Sequence, residues 1–376
     1  MRILLTVATV VTGLAAAMPA VAQTPGSMNS NSPFVSEGVA REVLARPPHA
    51  KTIASDSKPL IVMTGFLARA DSSPLSQRGR DPSNLVDRDG KPIADPAANP
   101  SANALESDPN LTWEKWDEYW RKVHGVRFTY ADEPSDTTLN ALARYDQIHR
   151  IPAGPTLANS PPYLAPADAK GKLYPAVIGH IPEYKRPKWD GIAYLNFHSA
   201  DDIGTLFGEK FKTKILPEDQ VLFRQVAPVL SKQFIRIASK DSRDPIILVY
   251  THSRRSDLTR EQFQQDWLGR HEGLVMSQPS TKALVSRYVQ LQNIGGNKAG
   301  EPFYADATGA IDGITLMYFR SMNDAEDYVM SEGFKAMTAD LERIADKSKS
   351  DYWTALDYVV VNRIGKEKVT ASAQLR

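Results

Sequence analysis

Two histidines occupy the same point of two similar stretches, residues 111–125 (LTWEKWDEYWRKVHG) and 258–273 (LTREQFQQDWLGRHEG). Each stretch opens with Leu-Thr and places an aromatic five residues on, Trp116 or Phe263. Trp120 or Trp267 follows four residues later, and His124 or His271 four beyond that. Imidazole titrates nearest neutrality of all side chains, so either histidine suits general acid or base work. At a helix C-terminus the dipole favours imidazolium while burial opposes it, leaving titration near neutral pH open. The alternative is a buried histidine that hydrogen-bonds a loop carbonyl and closes its helix.

Other side chains recur around these two. Asp190 and Asp312 each precede a glycine at a strand start, where a carboxylate can orient a histidine or cap a turn. Tyr145 and Tyr288 follow an arginine and offer phenolic donors, or serve as core residues. Arg69, Arg254 and Arg255 stand where the first strand of each half ends. They could hold an anionic or phenolic substrate, or form a solvated loop face. His252, beside them, has no counterpart in the first half and could mark an active second half. Trp120 and Trp267 would line the substrate space.

His149, His180, His198 and His252 lack zinc-binding spacing, so no cofactor is expected, with haem or a metal as the alternative. No Gly-rich phosphate loop, nucleophile elbow or dinucleotide fingerprint occurs. The chain has no cysteine, which excludes thiolate catalysis and disulfides.

Helices and strands must position these groups. Trp116, Trp120 and His124 are spaced i, i+4, i+8 and so share one face, as do Phe263, Trp267 and His271. Thr112 and Thr259 are N-cap candidates, the latter in a Thr-x-x-Gln capping box, and Gly125 is the expected helix stop. Strands are predicted at 58–66, 141–151, 189–197 and 232–238, with a helix starting at Ser199 and another over 218–230. The pattern then restarts, with strands at 244–252, 283–294, from Asp312 and at 352–364, and a helix capped by Ser321.

Landmarks keep their order while connections differ. Pro59 to Thr112 is 53 residues, whereas Pro245 to Thr259 is 14. Arg144 to Asp190 is 46, against 25 from Arg287 to Asp312. Loops absorb such insertions readily. Each half therefore reads β-α-β-β-α-β, a ferredoxin-like unit with helices on one sheet face. The other face needs cover, which two units provide by closing an intramolecular dimeric α/β barrel of the α+β class.

With 376 residues, 42% hydrophobic and 24% charged, the chain suits a soluble two-domain protein. A net charge of +1 leaves no footprint for nucleic acid. Met1-Arg2, an apolar run and an Ala-x-Ala ending at Ala22 predict a signal peptide over 1–22 and a periplasmic or secreted protein with no membrane span. Residues 23–57 read as a polar tether. A first domain over 58–240 would carry insertions at about 71–110 and 152–187, followed by a second over 241–365 and a tail over 366–376.

Ser253-Arg254-Arg255 after a strand, the L-[ST]-x-E-x-[FW]-x-x-x-W-x-x-x-H helix and the Asp-Gly strand opening resemble the EthD family, twice in tandem. Gly125-Val126 and Glu272-Gly273 stand where that family usually has Gly-Pro. The resemblance implies the dimeric α/β barrel and, loosely, oxidoreductase chemistry. Expected is an exported, cofactor-independent enzyme in which a histidine moves a proton on a small apolar or aromatic compound. A lyase or dehydratase, or a periplasmic carrier without turnover, are the alternatives. The protein would be a monomer with an internal pseudo-dimer, or a further homo-oligomer.

Overall fold

The computed structural model describes residues 60–69, 113–129, 136–151, 189–209, 211–215, 223–240, 244–364 and 366–370. The segments expected to be a signal peptide (1–22) and a tether (23–57), the expected cap at Thr112, His180 and the two expected insertions lie outside the described residues.

Eight strands make one closed antiparallel barrel: β1 (Ile61–Arg69), β2 (Arg144–Arg150), β3 (Gly191–Phe197), β4 (Phe223–Ile237), β5 (Ile246–His252), β6 (Arg287–Asn293), β7 (Gly313–Phe319) and β8 (Asp351–Asn362). The order around it is β1-β3-β2-β8-β5-β7-β6-β4. Cut at β2–β8 and β4–β6, it falls into β4-β1-β3-β2 and β8-β5-β7-β6, the same ferredoxin-like order twice. The α+β fold and the closed intramolecular barrel are thus as the spacing predicts.

The two long strands close the barrel. β4 pairs with β1 up to Lys232 and with β6 from Ser231, while β8 pairs with β5 up to Leu356 and with β2 from Ala355. This corrects the helix expected over 218–230, because 223–230 are the first part of β4. Pro228 lies inside that stretch, where it would break a helix, and pairing with β1 decides the conformation. Full closure pairs each of these eight strands on both sides, which removes the edges an open sheet would expose.

Alternate residues point into the lumen, where Phe66, Ile192, Val249, Leu291, Leu316 and Trp353 pack together. The opposite face is covered by helices. In the first half these are α1 (Trp113–Tyr119), continued by a π turn (Trp120–His124), and α2 (Ala200–Leu206). In the second half they are α3 (Arg260–Asp266), continued by a π turn (Trp267–His271), then α4 (Glu272–Ser277), α5 (Pro279–Leu284), α6 (Met322–Met330) and α7 (Glu332–Leu341). The capping box forms as the sequence predicts: Thr259 N donates to Gln262 Oε1 at 2.8 Å and Gln262 N to Thr259 Oγ1 at 3.2 Å. Among the described residues no helix is long and apolar enough to cross a membrane.

Gly125 does not stop its helix. Its φ of −57° is right-handed, and it opens a 3₁₀ turn, Gly125–Phe128. Close approach explains the glycine better, since a Cβ there would lie 2.7 Å from Gln147 Nε2.

Candidate functional site

The two histidine stretches share a feature that periodicity alone conceals. In both, the helix widens into a π turn that begins at the tryptophan and ends at the histidine. Such turns misalign the backbone ladder and need help from outside. A glutamine on the second strand of each half supplies it: Gln147 Nε2 donates to Trp120 O at 2.7 Å, and Gln290 Nε2 to Trp267 O at 3.1 Å. These glutamines were absent from the sequence-based candidates, although Arg-Tyr-x-Gln repeated in both halves is visible.

Each indole lies against the glycine of the Asp-Gly pair. A Cβ on Gly191 would come within 2.7 Å of Trp120 Cζ3, and one on Gly313 within 2.6 Å of Trp267 Cζ3. The glycine thus serves close packing, which fixes the helix and its histidine above the sheet. Gly313→Ala should destabilise the protein by about 1–3 kcal/mol, the usual cost of overpacking a core. Denaturant unfolding checks this, and unchanged stability would show that the indole has room to move.

His271 is held by a carboxylate. Its Nδ1 lies 2.8 Å from Asp340 Oδ2, which reaches over from α7. Burial pushes the imidazole's pKa below its ordinary value, and the Asp340 bond recovers part of the shift. Burial opposes the charge of Asp340, yet bonds from Arg270 and His271 hold its carboxyl below the usual range. A carboxylate on Nδ1 fixes the neutral tautomer with its lone pair on Nε2, the form a general base requires.

His252 stands nearby on β5, its ring centroid 5.2 Å from that of Trp267. Its Nε2 is 2.8 Å from Thr315 Oγ1, while its Nδ1 is buried with no hydrogen-bond partner. Burial, reinforced by the repulsion that His271 would exert on a second imidazolium, pushes its pKa well below the ordinary value. Tyr288, fully buried, faces the same Thr315. Burial raises its phenol, with the nearby Arg236 guanidinium opposing. Trp267 Nε1 is also buried without a partner. The structure therefore brings His271, His252, Trp267 and Tyr288 together under α3.

In the first half the equivalents are arranged differently. His124 is buried with its ring 5.6 Å from Phe128 and 6.4 Å from Phe223. Tyr145 Oη accepts from Gln147 Nε2 at 3.0 Å. His149 fills the space beneath Trp120, stacked at 4.1 Å, with Nδ1 2.6 Å from Asp117 Oδ1. It is fully enclosed, and Gln292 holds the corresponding register on β6.

The side chains of the remaining candidates have other partners. Asp312 accepts from Arg254 Nη1 at 2.6 Å, Arg254 N at 2.9 Å and Arg260 Nε at 2.9 Å. Asp190 pairs with Arg150 Nη2 at 2.9 Å. Both aspartates also receive the strand ladder, Asp190 N donating to Leu67 O and Asp312 N to His252 O, each at 2.8 Å. Their visible work is to tie strand ends together. Arg255 chelates Asp257 at the surface, with both N···O distances 2.9 Å. Arg69 ends β1. Among the described residues no group of three or more His, Asp or Glu could hold a metal ion.

No curated protein matches the chain. Three similar solved structures are an anthrone oxidase-like protein (11% identity, 84% of this chain and 99% of that one, TM-score 0.42), and two proteins provisionally named monooxygenases. One is from Lactobacillus acidophilus NCFM (8% identity, 81% and 95%, TM-score 0.35). The other is from Fusobacterium nucleatum subsp. nucleatum (6%, 84% and 96%, TM-score 0.37). The EthD domain family model matches residues 255–348, which run from just after β5 to just before β8. The matched residues include His271 and Asp340 and lie within the second half of the barrel.

Proposed function

We propose that this protein is an oxidoreductase-type enzyme in which His271 removes a proton from a small apolar or aromatic substrate. The observation that carries this reading is the His271–Asp340 pair, a buried imidazole whose tautomer is fixed by a carboxylate. A proton taken from a phenol, or from carbon beside a carbonyl, leaves an electron-rich anion. Dioxygen, the co-substrate this chemistry needs, would accept its electrons. Tyr288 and Thr315 offer hydroxyls to orient the substrate oxygen, and the rings of Trp267 and Phe263, 5.9 Å apart, offer an apolar wall. His271 is 1% exposed, so a substrate reaches it only when neighbouring side chains move aside. The Met1-Arg2 start, the apolar run after it and the Ala-x-Ala ending at Ala22 support a reading in which the protein acts after export, in the periplasm or outside the cell.

The test is oxygen uptake and product analysis with a panel of small phenols and aryl ketones. Uptake lost in His271→Ala supports the proposal. Elimination without uptake makes the protein a lyase, and ligand bound but returned unchanged makes it a carrier.

The pH dependence has a definite sign. His271 works neutral, so activity should be level above about pH 6.5 and fall on a limb centred below that ordinary value. Asp340→Asn removes a bond that favours imidazolium, so the limb should move to lower pH. A move upward contradicts the assignment. Stability follows the same sign: the folded state resists protonation of His271. That contribution is complete above about pH 6.5 and is lost as pH falls toward the depressed value.

A further inference from the structure

One end of the barrel lumen is charged. Arg144 and Arg287 open the second strand of each half at equivalent register, and both are buried. A buried guanidinium requires a counter-ion. On β2 it lies two residues along, where Asp146 accepts from Arg144 Nε at 2.9 and 2.8 Å. On β6 the same position is Val289, so the strand itself provides none.

Glu367 provides it instead, 80 residues away in sequence. Arg287 Nε lies 3.0 and 2.9 Å from its two carboxylate oxygens, and Nη2 is 2.7 Å from Oε1. Ser239 N donates to Oε2 at 3.1 Å, and the Tyr318 ring lies 4.5 Å from the guanidinium carbon. Arg287 Nη1 is buried with no hydrogen-bond partner. Glu367 arrives on residues 366–370, which form neither helix nor strand. Thr370 pins that segment, its N donating to Ile235 O and its Oγ1 accepting from Ile235 N, both at 2.9 Å. Burial, then the charge of Asp146, pushes the Asp357 carboxyl well up, with Arg144, 3.9 Å away, opposing. Asp146 and Glu367 are the carboxylates that hydrogen-bond the two arginines.

We propose that this end of the lumen is a carboxylate-binding site, built from Arg287, Tyr318 and the Ser239 amide, which the chain fills with its own Glu367. The flat donor fork of Arg287 suits a planar carboxylate, and the space that the Glu367 side chain occupies is that of a short aliphatic acid. The site is separate from His271 and does not depend on the catalytic proposal.

Thermal unfolding in sodium propionate against sodium chloride at equal ionic strength tests it, using wild type, Glu367→Ala and the double variant Arg287→Met/Glu367→Met. Propionate should raise the unfolding temperature of Glu367→Ala by several degrees, saturably, and leave the other two unmoved. An equal shift in all three, or none in Glu367→Ala, overturns the proposal. If Glu367→Ala does not fold in chloride, recovery of folded protein in propionate supports the site, and no recovery overturns it.

Discussion

Replacing His271 by alanine should lower turnover by about 10²- to 10⁴-fold, the range that a positioned proton-transfer group supplies. His124→Ala, at the equivalent place in the first half, should leave turnover within the same order of magnitude. The difference comes from the surroundings. His271 has Asp340 on Nδ1 and His252, Thr315 and Tyr288 on the strands beneath it. His124 faces the rings of Phe128 and Phe223, and the space under Trp120 is taken by the His149–Asp117 pair. Steady-state kinetics on folded variants decides the matter. An equal loss at both positions would place the chemistry in both halves, and a loss at His124 alone would move it to the first.

Asp312→Ala should destabilise the protein by about 3–5 kcal/mol, the cost of removing one partner from a buried ion pair. The carboxylate is 1% exposed and serves Arg254 and Arg260 together, with Arg260 itself 5% exposed. Its loss strands the Arg260 charge beneath α3, although Gly295 O still accepts from Nη1 at 2.7 Å. Denaturant unfolding measures the loss. At a temperature where the variant is folded, its turnover should match wild type. A stable but inactive variant would return Asp312 to the catalytic group.

Much of the fold was legible because its landmarks are local and repeated. The Trp-x-x-x-His helix and the Asp-Gly strand start mark elements that pack directly on each other, tryptophan against glycine. The capping box at Thr259 needs only its own turn. Residues 223–230 misled because a strand that spans both halves is set by pairing with β1, a contact made across more than a hundred residues. The site was half legible for the same reason. His271 and Tyr288 repeat in sequence, but Asp340 lies 69 residues from His271 and meets it only once α7 docks. Arg287 and Glu367 lie 80 residues apart in sequence and meet only in the folded chain, where Thr370 is bonded to Ile235 of β4. The π turns are invisible to periodicity, since an i, i+4, i+8 stripe reads as ordinary helix, and the repeated glutamine was their one trace.

The proposed chemistry requires a neutral His271 whose Nδ1–H donates a hydrogen bond to Asp340 and whose Nε2 lone pair takes the substrate proton. Nitrogen-15 spectroscopy of histidine-labelled protein near pH 7 reads this directly, with His271→Ala identifying the signal. The expected result is a protonated Nδ1 and an unprotonated Nε2 for His271, with Asp340→Asn weakening that tautomer preference. An imidazolium at that pH, or a proton on Nε2 in the neutral ring, would contradict it.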